Sequence, residues 1–167
     1  MGITNSYECS GCGNHCKDKP DRPDRSLATI ETSYPGLQNI VSNSPILLGS
    51  IVDGTKIGRG IQLIENSLIF SVPGLYLVTY STSAVWTTLP YGTNEAIIQL
   101  KLNKKLLDGS ETRVQVLTPE PVENQKLNLA KTVLVPVTIR NASLTLISTS
   151  LQVMGFIDTT VTVVKVG

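Results

Sequence analysis

From Leu75 to Trp86 the chain alternates without a break, and this feature constrains the fold more than any other. Tyr76, Val78, Tyr80, Thr82, Ala84 and Trp86 fall on one side; Leu75, Leu77, Thr79, Ser81, Ser83 and Val85 fall on the other. A strand sends successive side chains to opposite faces, whereas a helix repeats every ~3.6 residues. The segment is therefore a long strand with an aromatic face and a face of Ser, Thr, Val and Leu.

Strand signals recur on both sides of it. They cover Leu27–Thr32, Ile46–Val52, Gly60–Ile64, Leu68–Val72, Ala96–Leu102, Thr112–Leu117, Lys126–Val135, Ser143–Ser148 and Thr159–Val166. Turn residues separate them: Tyr34-Pro35-Gly36, Asp53-Gly54, Val72-Pro73-Gly74, Pro90-Tyr91-Gly92, Asp108-Gly109 and Arg140-Asn141. No stretch carries a convincing helical stripe. About ten short, evenly spaced strands predict an all-β, two-sheet antiparallel sandwich. Several strands keep Val and Leu on the face that would meet water in a monomer, so part of that surface is expected to be covered by a neighbour.

The first 25 residues differ in kind. Gly, Asn, Lys, Asp, Pro and all three cysteines dominate there, and Lys17 to Arg25 alternates charge around Pro20 and Pro23. Such a stretch buries too little apolar surface to fold alone and is expected to be extended. The chain thus divides into an arm with its spacer, 1–25, and a sandwich domain, 26–167.

Charge and composition exclude several functions. Fourteen basic residues against thirteen acidic give a net charge of +1, without the positive field that nucleic acid requires. Only 16% of residues are charged, so little repulsion keeps copies apart. The longest apolar runs, Val133 to Val137 and Val161 to Val166, are too short to span a bilayer as a helix. Met1 to Cys16 is polar and lacks the apolar stretch of a secretory signal. A protein of this kind acting outside a cell is expected to be released with it.

Catalytic groups are sparse. The single histidine, His15, lies in the arm, which leaves the sandwich without the base of a Ser-His-Asp triad. Gly54 to Gly58 lacks the spacing of a phosphate loop. Glu120 and Glu123 could bind calcium in the Pro119–Gln125 loop, but solvated loop charges account for them more simply. No cofactor and no enzymatic activity are expected.

One segment carries a resemblance. Phe70, then Val72-Pro73-Gly74-Leu75-Tyr76, then the alternation through Tyr80 is similar to the trimeric jelly rolls of the complement globular-head and tumour-necrosis-factor superfamily, whose bacterial relatives tip the collagen-like glycoproteins of the spore exosporium. Ile98 to Asn103 followed by Leu107 to Ser110 resembles that family's strand-turn-strand, and Thr159 to Val166 its final central strand. The resemblance covers about Ser26 to Gly167 and implies a homotrimer packed through strands of one sheet, without catalysis. Phe70, Tyr76, Val78, Tyr80, Val161 and Val163 are then expected to serve the trimer or the core strands. No collagen-like stalk or exosporium leader is visible in these residues, and the short arm is expected to take their place.

Cys9-x-x-Cys12-x-x-x-Cys16, with His15 beside the last cysteine, is chemically pointed. A Cys₃His zinc site, free thiols, and contacts or disulfides to neighbouring subunits all fit the pattern. The compact spacing lacks a second ligand pair, which favours contacts over metal. Tyr7, Cys9, Cys12 and Cys16 are assigned to a self-assembly arm. The resulting expectation is a structural subunit of the bacterial endospore surface, in which homotrimers stack head to tail into a fibre through their arms, alongside other coat or exosporium proteins. The alternative is a trimeric head that binds protein or glycan, anchored by the arm.

Overall fold

A computed structural model describes residues 27–89, 92–118 and 122–167, without the side chains of 87–89, 118 and 122–124. The arm residues Tyr7, Cys9, Cys12, His15 and Cys16 lie outside the described residues, as does Glu120.

The described residues form thirteen strands and no helix. In chain order they are β1 Thr29–Tyr34, β2 Gln38–Ile40, β3 Ser44–Pro45, β4 Ser50–Ile51, β5 Ile61–Ile64, β6 Ser67–Phe70, β7 Gly74–Leu89, β8 Gly92–Leu102, β9 Lys105–Leu106, β10 Thr112–Thr118, β11 Val122–Val137, β12 Ala142–Ser148 and β13 Met154–Lys165. They pair antiparallel into two sheets. One runs β11-β7-β13-β1-β4, with β2 added to β13; the other runs β10-β8-β12-β6-β5, with β3 on β12 and β9 on β8. The architecture is the expected two-sheet jelly roll.

The alternation at the centre of the sequence sets the layering. Tyr76, Val78, Tyr80, Thr82, Ala84 and Trp86 all point inward from β7 and are buried. Ile30, Phe156, Val161 and Val163 join them from the same sheet, and Phe70, Ala96, Ile98, Leu100, Leu144 and Leu146 close the core from the other. Each large side chain sealed here contributes about 1.5–3 kcal/mol of transfer free energy. The Phe70 and Tyr76 rings pack across the layers at 4.5 Å between centroids, tilted by 52°. Both core tyrosines satisfy their hydroxyls on backbone: Tyr76 donates to the Val72 carbonyl at 2.6 Å and Tyr80 to the Ser110 carbonyl.

Some strand boundaries depart from expectation for local reasons. Of the strand expected over Ile46–Val52 only Ser50–Ile51 forms, as β4, after Gly49, where φ is +75° and a Cβ would lie 2.0 Å from the Ser33 carbonyl oxygen. Ile46 to Leu48 is held instead by side chains: Gln38 accepts from the Leu47 amide at 2.6 Å, and Asn66 accepts from the Leu48 amide and donates to the Ile46 carbonyl. The last strand begins at Met154, not Thr159, because a bulge carries the chain past Ile157 and Asp158, where φ is +57°. Under that bulge Thr82, Thr159 and Gln38 bond one another in the interior. The corner at Pro73-Gly74 takes its glycine for close approach: φ there is 158°, almost extended, and a Cβ would meet the Gly167 carbonyl oxygen at 2.5 Å.

Candidate functional site

The register of the β11-β7-β13 sheet decides what its outer face presents. Leu134 pairs with Leu77 and Thr132 with Thr79, and across the other edge of β7 Val164 pairs with Leu77 and Thr162 with Thr79. Because the aromatic set points inward, Leu75, Leu77, Thr79, Ser81, Ser83 and Val85 must point outward. Asn128, Ala130, Thr132, Leu134 and Pro136 join them from β11, and Thr160, Thr162 and Val164 from β13.

From Leu75 to Ser83 along β7, and across the paired stretches of β11 and β13, the described outward residues include no charged side chain; beyond them Lys126 stands opposite Val85. In a chain with 27 Asp, Glu, Lys and Arg residues, 14 basic and 13 acidic, an uncharged strip three strands wide is unusual for a face meant for water. Leu77 remains 38% exposed and Leu134 51%. Between them the polar groups satisfy one another: the Thr79 and Thr132 hydroxyls lie 2.9 Å apart, and Ser81 donates to the Asn128 side chain at 3.1 Å. Charges return only at the rim, where Lys126 pairs with Asp158 at 2.7 Å and Glu31 stands on β1. Where the hydroxyls of Thr79, Thr132 and Ser81 are already paired and flanked by leucines, the surface loses less when water leaves it.

The residues expected at the trimer or core strands separate cleanly from this face. Phe70, Tyr76, Val78, Tyr80, Val161 and Val163 are all sealed inside the sandwich, each no more than 1% exposed. They build the platform, and their outward neighbours form the surface. The sequence separates the two faces of β7 but assigns none to β11, where Lys131 lies among the inward residues. That lysine reaches past the core edge to donate to the Glu111 carbonyl at 2.8 Å.

The sandwich ends also differ. Chain direction and register put Leu27, Gly58, Pro73 and Gly167 at one end, where Lys165 donates to the Ala28 carbonyl and Leu75 to Gly167. Leu37, Val41, Leu151 and Val153 lie at the other end, beside Ile40 and Met154, and all four are exposed, Leu151 by 94%. No group of three or more His, Cys, Asp or Glu side chains among the described residues is placed to hold a metal.

No family model and no curated protein matches the chain. Solved structures do. The Eiger TNF of S. frugiperda superposes with a TM-score of 0.70 at 11% identity, over 86% of this chain and 94% of that one. The globular domain of the zebrafish complement 1qA protein superposes with a TM-score of 0.53 at 8% identity, over 81% of this chain and 94% of that one. At such identities the likeness is one of fold: this chain carries a jelly roll of the kind seen in tumour necrosis factor and complement globular domains.

Proposed function

We propose that this protein is a non-enzymatic assembly unit: a homotrimer closed through the outer face of β11, β7 and β13, then stacked head to tail by its N-terminal arm. The observation that carries the first half is the uncharged strip centred on Leu77, Thr79, Thr132 and Leu134. A threefold axis brings one edge and face of each protomer against the next and closes the ring, which suits a patch of limited area. The jelly-roll likeness to a TNF and a complement globular domain supports the same arrangement.

The second half rests on polarity. The chain enters the sandwich at Leu27, and the exposed apolar residues Leu37, Val41, Leu151 and Val153 lie at the opposite end. An arm leaving one trimer can therefore reach the apolar end of the next without turning back. Such a contact does not close, so it propagates into a fibre. The cysteines of the arm give that junction a means of covalent locking in an oxidising setting. By its sequence resemblance the setting is the surface of a bacterial endospore, with other coat or exosporium proteins as neighbours.

Deleting residues 1–25 and imaging the product by negative stain tests the assignment. Trimers without fibres are expected. Fibres that persist without the arm would overturn the stacking role, and full-length protein that stays as free trimers at every concentration would favour an anchored binding head.

A further inference from the structure

The opposite sheet carries a different kind of surface. On the outer side of β8 and β12 a groove of about 570 Å³ is lined by Lys101, Lys104, Asn103, Ser143, Thr145 and Ser67, with Asn43, Pro45, Ile139 and Ile147 around them. It opens where β12 changes its edge partner, from β6 at Ala142 to Leu144 to β3 at Ile147 and Ser148. The outward residues of β12 there are Ser143, Thr145 and Ile147.

Its chemistry is one-sided. Two lysines line it and no acidic residue does. Elsewhere on the described surface Arg113 is paired with both Glu95 and Glu111, and Lys126 with Asp158, while Lys56, Arg59, Lys105 and Arg140 form no ion pair among the described residues. Lys101 and Lys104 form no ion pair among the described residues, and the hydroxyls of Ser67, Ser143 and Thr145 make no hydrogen bond there.

Lys104 is also held at a cost. Asn103 and Lys104 form the two-residue turn from β8 to β9, with φ of +49° and +70°. Positive φ at both positions is the type I′ pattern, in which Asn is at home first and Gly second. A lysine at the second position accepts backbone strain that glycine would not. The turn is nonetheless fixed over the groove: Asn103 donates its amide to the Ser143 carbonyl at 2.8 Å and accepts the Ser143 amide on its side chain at 2.9 Å. Strain retained in a firmly anchored position points towards use of the side chain.

We infer that this groove binds an acidic saccharide, its carboxylate or sulfate held between Lys101 and Lys104 and its hydroxyls met by Ser67, Ser143, Thr145 and Asn43. Ammonium groups bind such anions by charge-assisted hydrogen bonds. Pro45, Ile139 and Ile147 offer apolar contact to the C–H side of a sugar ring. An extended peptide is a poorer fit, because β12 lies within the sheet with both edges paired and has no free edge for strand addition. This site lies on the sheet opposite the proposed trimer face and goes beyond the assembly reading.

The test titrates full-length protein with a galacturonate trisaccharide, a heparin-derived tetrasaccharide and neutral maltotriose, following binding by calorimetry at low and high salt. Binding of at least one acidic sugar, absent for maltotriose and weakened by salt, is expected. Lys101→Ala and Lys104→Ala should each weaken it tenfold or more, while Lys56→Ala leaves it unchanged. Lys104→Gly is the sharper variant: relief of the turn should raise the melting temperature while binding is lost. Which acidic sugar binds distinguishes carboxylate from sulfate recognition. No binding above maltotriose, or binding indifferent to both lysines, would overturn the site. A melting temperature that falls in Lys104→Gly would remove the strain argument. The oligomer mass measured in the same samples keeps failure of this site distinct from failure of trimer assembly.

Discussion

Leu77 and Leu134 are direct register partners across β7 and β11, and both point out of the sandwich into solvent with no charge beside them on the face. Paired exposed leucines at the centre of an uncharged patch are the strongest sign that this surface is covered in the working molecule. The two residues support the proposed threefold contact and do little for the fold of a single protomer.

Leu77→Glu and Leu134→Glu are therefore expected to separate assembly from folding. Exposed substitutions of this kind change protomer stability by about 0.5 kcal/mol or less, yet a carboxylate on each copy of a closing interface is repelled and poorly solvated there. Light scattering should show monomers with an unchanged far-ultraviolet dichroism spectrum. Trimers that survive both substitutions would place the contact elsewhere.

Alkaline stability should depend on Tyr80. Burial first, and then the negative charge of Glu111, push its hydroxyl well above the ordinary value of 10. The folded state thus holds that proton more tightly than the unfolded state does. Its contribution is intact below about pH 10 and is lost progressively as pH rises beyond the unfolded value. Denaturant melts at increasing pH should fall above that point, and fall less steeply in Tyr80→Phe. That variant should also lose about 1 kcal/mol at neutral pH, because the buried Ser110 carbonyl loses its donor. An identical alkaline slope in the two proteins would contradict the assignment.

Two glycines with nearly the same backbone offer a controlled comparison. Gly49 and Gly54 have φ of +75° and +78°, but a Cβ at Gly49 would meet the Ser33 carbonyl oxygen at 2.0 Å, whereas nothing lies within 4 Å of one at Gly54. Gly54→Ala should cost about 1–2 kcal/mol of conformational strain alone. Gly49→Ala should cost clearly more, about 3 kcal/mol or above, since β1 and the β3–β4 segment must separate. Equal losses in chemical denaturation would show that the close approach is not maintained.

In the core, Phe70→Ala should cost about 3–5 kcal/mol by leaving a cavity against Tyr76. The same substitution at either exposed leucine should be nearly silent in the monomer. Thermal melts of monomeric variants check both.

Much of this arrangement was legible in the residues. The alternation from Leu75 to Trp86 separates the two faces of β7 as the structure has them, with the aromatic set buried. Asn141 marks its turn with φ of +57° and Gly109 with +74°, where only a few residue types sit without strain. Less visible was anything set by distant partners. Gly49 looked like an ordinary strand glycine until Ser33 was placed against it. The bulge at Asp158 and the short strands β2, β3 and β9 depend on side chains far away in sequence. Lys101 and Lys104 read as surface charge on a strand and a turn; only the junction of β12 with β6 and β3 makes them the wall of a groove. Lys131 lies on the inward side of β11 and is satisfied there by the Glu111 carbonyl.

The central claim is that the face built on Leu77, Thr79, Thr132 and Leu134 closes copies of this chain into a ring. Native mass spectrometry of the full chain under reducing conditions, with arm disulfides open, tests it most directly. The account predicts a three-chain species in the wild type and a single chain in Leu134→Glu. A wild type that remains a single chain at assembly concentrations, or a three-chain species that Leu134→Glu leaves intact, would contradict it.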